Sequence, residues 1–403
     1  MRIQKAVRYR LEPTLEQESL LSRAAGCVRF VWNRALAIQK SYLESGCGIL
    51  SYVELAKCLT TWRNGEPFGF LSESPVHPQQ QALKNLDRAF QEAFNPANPK
   101  RFPVFKKKGR NDGFRYPAPE QIKLDLQTAD PDGRRILPRI FLPKIGWVKF
   151  RKSCPVGGEI RNATVRRMAG RWYVSIQIER EIHPTAPQGD PVGIDLGVRE
   201  FAALSNGDFV EPRNAYRHWE DRLARAQRAL SRKVRFSQNW HRARIKVQRI
   251  HRKIAAIRED FLHQTSTRLC KSHAVLVIED LKVQEMSASA AGTMEHPGTL
   301  VQVQSRFNKA ILDQGWYTFR RMLEYKSEWQ GALLRVLSPE KTSTTCPECG
   351  HEEAANRPGL RKWFQCVACG HREHSGTVAA RNLLQRGCTL QRAGHARLAC
   401  SSA

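Results

Sequence analysis

Residues 275–281, VLVIEDL, carry four apolar residues, Val275 to Ile278, straight into Glu279 and Asp280. A continuous apolar run rich in β-branched residues reads as a strand buried on both faces, and such a strand needs a packed layer above and below it. Residues 191–198, PVGIDLGV, have the same form: Asp195 lies within a second buried strand, and Gly193 and Gly197 keep its flanks thin. Open α/β sheets place their ligand sites at the carboxyl ends of such strands. Two buried strands that each deliver a carboxylate imply a shared Mg²⁺ site, because hard oxygen donors suit that ion. Taken singly, either acid could instead cap a following helix.

The rest of the composition narrows the partners. The 403 residues allow two to four domains and a sizeable core. Lys and Arg number 66 against 38 Asp and Glu, a net charge of +28 spread along the chain. A globular protein this basic meets a polyanion, with nucleic acid the default. No apolar run approaches the ~20 residues of a membrane span. The N-terminus, MRIQKAVRYR, lacks the apolar core of a signal peptide, and no amphipathic anchor or lipidation signal is present, so no membrane partner is expected. Of eleven Cys, seven are scattered (Cys27, Cys47, Cys58, Cys154, Cys270, Cys388 and Cys400), which fits reduced thiols and a cytoplasmic, nucleoid-associated protein.

In chain order, Ile3, Val7, Tyr9 and Leu11 alternate as one face of a strand, and Thr14 with Gln17 forms a capping box that opens a helix. A second helix is expected from about Pro78 to Phe94. Residues 100–116 interleave Phe105 and Tyr116 with Lys106, Lys107, Lys108, Arg110 and Arg115. Rings stack on bases and cations hold phosphates, so this segment suits a nucleic-acid groove; a solvated basic loop pinned to the core by its aromatics has the same composition. Trp172, Val174, Ile176 and Ile178 alternate after a hairpin turn at 168–171, and a Pro- and Gly-containing linker follows at 184–191. One long helical stretch is expected over 216–260, where Arg242, Arg244, Lys246, Arg249 and Arg252 face away from an apolar stripe and invite a phosphate backbone. A loop over 284–300, a helix from Ser305 to Trp329, a strand at Leu333–Leu337 and a frayed end from Gly387 complete the reading.

The strongest local signal is CPECG…CVACG. Cys346, Cys349, Cys366 and Cys369 have the C-x₂-C-x₁₆-C-x₂-C spacing of a tetrahedral Zn²⁺ knot, and Gly350 and Gly370 allow the two tight knuckles. Four thiolates with no open position mark a structural zinc.

Together, GIDLGV, VIEDL, PEKTSTTCPECG, HREHSGTVAARNLL and the FPVFKKKG…FRYP segment resemble TnpB, the insertion-sequence-encoded RNA-guided nuclease related to type V CRISPR effectors. The resemblance implies an α/β plus α+β multidomain fold. Its parts are a wedge-type β-barrel (1–13 and 125–185) interrupted by a helical recognition lobe (14–124), an RNase H-like RuvC domain (186–340 and 371–390) with an inserted zinc ribbon (341–370), and a disordered tail (391–403). It further implies a guide RNA that pairs with one strand of a double-stranded DNA target, so that base pairing reads sequence while the protein holds backbones. Three acids around Mg²⁺ do the cutting in that family; the first two map onto Asp195 and Glu279. The third belongs to a D-x-x-D-x-N-A-A pattern that here reads Glu373 to Ala380, with Gly376 at the metal-binding position and Val378 at that of the Asn. Were the segment helical, Glu373 would share a face with Gly376 and could replace the missing ligand. The expectation is an RNA-guided DNA endonuclease with an altered third acid. The alternatives are an RNA-guided DNA-binding protein that no longer cuts, and a zinc-ribbon DNA-binding protein without RNA.

Overall fold

The computed structural model describes residues 1–400 except 98, 99, 130, 186, 188, 294 and 359–361; from residue 390 onward it describes the backbone only. The chain forms two compact units, Met1–Ile182 and His183–Ala403.

The first unit contains β1 (Arg2–Glu12), α1 (Leu15–Glu44), α2 (Tyr52–Asn64), α3 (Val76–Ala93), β2 (Gly113–Tyr116), β3 (Lys123–Asp125), β4 (Arg139–Leu142), β5 (Gly146–Arg151), β6 (Glu159–Met168) and β7 (Arg171–Glu181). Its seven strands form one sheet in the order β2-β6-β7-β1-β5-β4-β3, antiparallel throughout. Alternation in β1 buries Val7, Tyr9 and Leu11, which share a core with Trp172, Val174 and Ile176 of β7. Ala169 and Gly170, both at positive φ, turn β6 into β7 as a primed hairpin turn requires. The Thr14–Gln17 capping box opens α1. The helical segment is shorter than expected: β2 and β3 fall inside 14–124 and return the chain to the sheet from Gly113 onward.

The second unit contains β8 (Val192–Leu196), β9 (Ala202–Leu204), β10 (Phe209–Val210), α4 (Ala215–Ser231), α5 (Gln238–Ser272), β11 (Val275–Glu279), α6 (Val283–Met286), α7 (Val301–Gln314), α8 (Trp316–Gln330), β12 (Leu333–Leu337), β13 (Trp363–Gln365), β14 (Arg372–His374) and α9 (Ser375–Cys400). Five strands run β10-β9-β8-β11-β12; β8, β11 and β12 are parallel, while β9 and β10 are antiparallel to their neighbours. Val192, Ile194, Leu196, Leu276 and Ile278 face α5, α7 and α8, where Phe201 meets Phe261 and Phe319. Gly193 and Val277 face α9. A Cβ at Gly193 would lie 1.9 Å from Ala380 O, so only glycine lets the helix backbone lie directly on β8.

Three sequence expectations change. The 216–260 helix is a hairpin, broken at 232–237 between α4 and α5. The 305–329 helix is split by Gly315 at φ +73°. The expected tail over 391–403 is helical backbone as far as Cys400, and 401–403 lie outside the described residues.

Candidate carboxylate and cysteine sites

The register of two parallel strands makes the carboxylate pair. Ile194 of β8 pairs with Ile278 of β11, so the next residues, Asp195 and Glu279, stand side by side at the carboxyl ends, on the face opposite that core. Glu279 is 7% exposed, and the Thr342 hydroxyl donates to its Oε1 at 3.3 Å. Thr342 is itself placed by α9, where Asn382 donates to the Thr342 and Thr345 carbonyls at 2.8 Å each. Asp195 keeps some accessible surface, yet protein atoms crowd its carboxylate. Burial raises the pKa of both acids; Arg357 pulls Asp195 back, and the charge of Asp195 pushes Glu279 higher still. Two carboxyl groups so placed favour holding one proton between them, or a cation. Asp280, at the end of the same strand, instead pairs with Arg320.

The third side of the site is closed. A Cβ built on Gly376 would lie 3.2 Å from Asp195 Oδ2, so this position does face the pair. The same Cβ would come within 2.8 Å of the Ala203 Cβ, closer than real side chains approach. Ala203 is the cross-strand partner of Asp195 on β9 and has no flexible end to move away. Val378 is fully buried against Cys346, Phe364 and Cys366.

Glu373 is held by other partners. It belongs to β14, and α9 begins only at Ser375, so the helical geometry that would carry it over the pair does not exist. Arg381 Nη1 and His371 Nε2 hold its carboxylate at 3.1 and 3.2 Å. Strand alternation turns the neighbouring residue, His374, the other way. His374 Nδ1 accepts from the Gly376 N–H at 3.2 Å, Nε2 lies 3.8 Å from Glu200, and burial lowers the pKa of the ring. Sequence reasoning gave no role to His374, Glu200, Ala203 or Thr342. Thr342 and His374 carried a signal, since they lie in the PEKTSTTCPECG and HREHSGTVAARNLL stretches; Glu200 and Ala203 carried none.

The four cysteines converge as their spacing requires. Cys346 Sγ to Cys369 Sγ and Cys349 Sγ to Cys366 Sγ are both 3.6 Å, and all four sulfurs lie within 4.8 Å of one another. A disulfide would need about 2.05 Å. Four sulfurs at ~2.3 Å from a tetrahedral Zn²⁺ sit about 3.8 Å apart, which these distances fit. The two knuckles match: the N–H of Cys346 donates to His351 O and that of Cys366 to His371 O, both at 2.9 Å, while Gly350 and Gly370 share φ +75°. Buried Asn356 ties the knuckles together, donating to Thr344 O and His351 O and accepting from the Val367 N–H. Among the described residues, this is the one group of three or more potential ligands clustered so tightly.

The predicted nucleic-acid contacts divide. Phe105, Lys106, Lys107, Arg110 and Arg115 line a cavity of about 770 Å³ in the first unit, and Lys108 is exposed close by in sequence. Asn33 and Trp32 of α1 fix this segment: Asn33 exchanges hydrogen bonds with the Lys106 backbone at 2.8 and 3.0 Å, and the Lys106 amine sits 3.6 Å from the Trp32 ring centroid. Tyr116 is a correction. It is fully buried and its hydroxyl donates to Pro143 O, so it belongs to the core and cannot meet a base. On α5, Arg242, Lys246 and Arg249 are exposed, Arg244 lies over the Trp240 ring, and Arg252 pairs with Glu259 at 3.4 Å. No helix among the described residues is long and apolar enough to cross a membrane.

A family model described as "Probable transposase" matches residues 173–290, which include both acid-bearing strands, and "Cas12f1-like, TNB domain" matches 316–383, which include the cysteine knot and Gly376. A "Helix-turn-helix domain" model matches 1–47, where this chain has a strand followed by one unbroken 30-residue helix. "Putative RNA-guided DNA endonuclease InsQ" of Escherichia coli (strain K12) is 44% identical, covering 98% of this chain and 94% of that one. A "Putative RNA-guided DNA endonuclease" of Streptomyces pristinaespiralis is 34% identical over 96% of this chain and 90% of its own length. Among solved structures, the mini-RNA-guided endonuclease CRISPR-Cas_phi3 aligns with a TM-score of 0.48 at 12% identity, covering 95% of this chain and 92% of that one. With identity of this order sustained over almost the whole length of both curated relatives, the chain belongs to the insertion-sequence TnpB family.

Proposed function

We propose that this protein is a TnpB-type RNA-guided DNA endonuclease whose cutting site retains two of three carboxylates. The observation that carries the reading is the pairing of Asp195 and Glu279 at adjacent carboxyl ends of parallel strands, with the start of α9 over them. The strand order β10-β9-β8-β11-β12 supports an RNase H-like RuvC domain, and the seven-stranded sheet with α1–α3 supports a wedge and recognition lobe. A guide RNA and a double-stranded DNA target are the partners, held through phosphate by the basic surfaces of both units.

The donor set fits one hard cation held by Asp195 and Glu279, and soft Zn²⁺ in the cysteine knot. Mg²⁺ bound there would supply Lewis acidity to a phosphodiester and its attacking water. The Thr342 hydroxyl fixes the Glu279 carboxylate, and the Gly376 N–H fixes the His374 ring. Glu200 adds negative charge beside Asp195. Clamping both attacking and leaving oxygens needs carboxylates on a third side, which Gly376 lacks, so cleavage is slow relative to target binding.

A second reading, an RNA-guided DNA-binding protein that does not cut, is favoured by the Ala203 contact that closes the Gly376 position. The test is cleavage of a matched plasmid by the complex with its own RNA in Mg²⁺, beside Asp195→Ala. Nicking or linearisation that disappears in Asp195→Ala supports the endonuclease. Intact plasmid with confirmed target binding establishes the second reading.

A further inference from the structure

The turn between α4 and α5 carries a group of side chains that the carboxylate and cysteine sites leave unused. Between Arg222 and Arg258 the chain has thirteen Lys and Arg and no acid. At the tip of this hairpin Val234 and Phe236 are 79% and 68% exposed. Phe236 also sits at φ +69°, a left-handed conformation that a bulky L-residue adopts only at a cost. Glycine or asparagine would make the same turn without strain, and none of the three core clusters of this unit includes the Phe236 ring. The turn itself is held firmly. The Ser237 N–H donates to Val234 O, and the Ser237 hydroxyl accepts from the Trp240 N–H to cap α5, both at 3.1 Å.

The strained ring is part of a built surface. The Phe236 centroid lies 5.5 Å from Trp240, tilted by 56°, and the Arg235 guanidinium is 5.0 Å from the Phe236 ring. Arg244 lies 5.4 Å from Trp240, and the His241 ring meets the same indole edge-on at 5.1 Å. An exposed flat ring among cations, in the middle of a stretch with no acid from 222 to 258, fits a ligand that is itself flat and carries negative charge on either side. A nucleobase within a strand has that chemistry. Bases inside a duplex are already stacked on their neighbours, so only an unpaired base offers its face.

We propose that Phe236, backed by Trp240, is a stacking site for an unpaired nucleobase of a single strand, with Arg235 and its basic neighbours on the flanking phosphates. The proposal rests on the nucleic-acid-binding reading above and assigns it one contact.

The test uses the full-length protein, washed free of nucleic acid at high salt. It is titrated with 10-nucleotide single strands, RNA in one arm and DNA in the other, each carrying 2-aminopurine, and with a blunt duplex as reference. Binding should quench the 2-aminopurine. Phe236→Gly should weaken the single strand that uses the site by about five- to a hundredfold while leaving the salt dependence of binding unchanged, because no cation is lost. The arm that weakens identifies the strand. The thermal midpoint of Phe236→Gly should hold or rise, since glycine adopts this φ freely. Arg235→Gln should lower the salt slope by about one, as expected of a phosphate contact. Unchanged single-strand affinity in Phe236→Gly overturns the proposal, as does an equal loss for duplex and single strand accompanied by a lower midpoint, which assigns the ring to folding. If the unaltered protein binds no strand at low salt, the nucleic-acid reading falls with it.

Discussion

The cysteine knot and the carboxylate pair are both candidate ligand clusters assembled from separated segments, but one has four converging side chains and the other has two acids facing a glycine. The knot takes two ligands from each of two knuckles with the same local geometry, joined by Asn356. Each half specifies itself within six residues, Cys346 to His351 and Cys366 to His371. The carboxylate site needs β8, β11 and α9 to converge, and α9 brings only Gly376 to it, where Ala203 occupies the space a side chain would need. The difference follows from what each contributes to stability. Metal binding to a structural knot is folding free energy, so losing a ligand unfolds the region. Buried carboxylates without a cation oppose folding, so losing one is tolerated or favourable.

The largest test of that contrast is Cys349→Ser. Structural zinc in small domains contributes apparent binding free energies on the order of 10 kcal/mol, and three thiolates hold it far less tightly. Zinc content by metal analysis should fall from one per chain towards zero, and the ribbon should lose its cooperative unfolding transition. A variant that keeps its zinc would break the assignment of the knot.

Placing a third acid beside the pair should have an intermediate effect, and it should require two substitutions. Gly376→Asp alone drives a Cβ against Ala203 and is expected to cost about 1–3 kcal/mol through overpacking, without tightening Mg²⁺. Adding Ala203→Gly opens the space at about 1 kcal/mol for the strand glycine. The double variant should bind Mg²⁺ and cut a matched target at least about tenfold better than either single variant. Isothermal titration and plasmid cleavage measure both. Equal gain from Gly376→Asp alone would mean that α9 shifts easily and the position was never closed.

These two sites were not equally legible in the sequence. The knot was fully readable, because spacing alone fixes a tetrahedral cluster. Asp195 and Glu279 were readable as acids ending buried strands, since a β-branched run followed by charge has few other placements. The closure was not readable: Ala203 reaches Gly376 only through the β8–β9 pairing, and an alanine in a strand gives no warning. Glu373 misleads because only a helix would set it on the face of Gly376, whereas β14 extends to His374 and alternation turns Glu373 and His374 to opposite faces. Tyr116 misled for a related reason. Its basic neighbours imply a groove, but β2 turns its ring into the core. The break at 232–237 contains neither proline nor glycine, and a single glycine such as Gly315 is tolerated within a helical pattern, so neither break announces itself.

The smallest expected effect isolates the cost of the carboxylate pair itself. Burial and the neighbouring Asp195 raise the pKa of Glu279 in the folded protein above its unfolded value. Such a group favours folding fully below the unfolded value, and that contribution is lost as pH rises through the folded one. Glu279→Gln cannot ionise, yet its amide oxygen still accepts from Thr342. In Mg²⁺-free buffer containing zinc, the variant should therefore be more stable than the parent by a margin near zero at about pH 4, growing with pH to about 1–2 kcal/mol. Added Mg²⁺ should reverse the order, since it stabilises only the chain that retains both ligands. Urea unfolding across pH, with and without Mg²⁺, measures the margin. A margin that does not change with pH would show that Glu279 is not held in its protonated form, and one insensitive to Mg²⁺ would show that the pair no longer binds the ion its geometry accommodates.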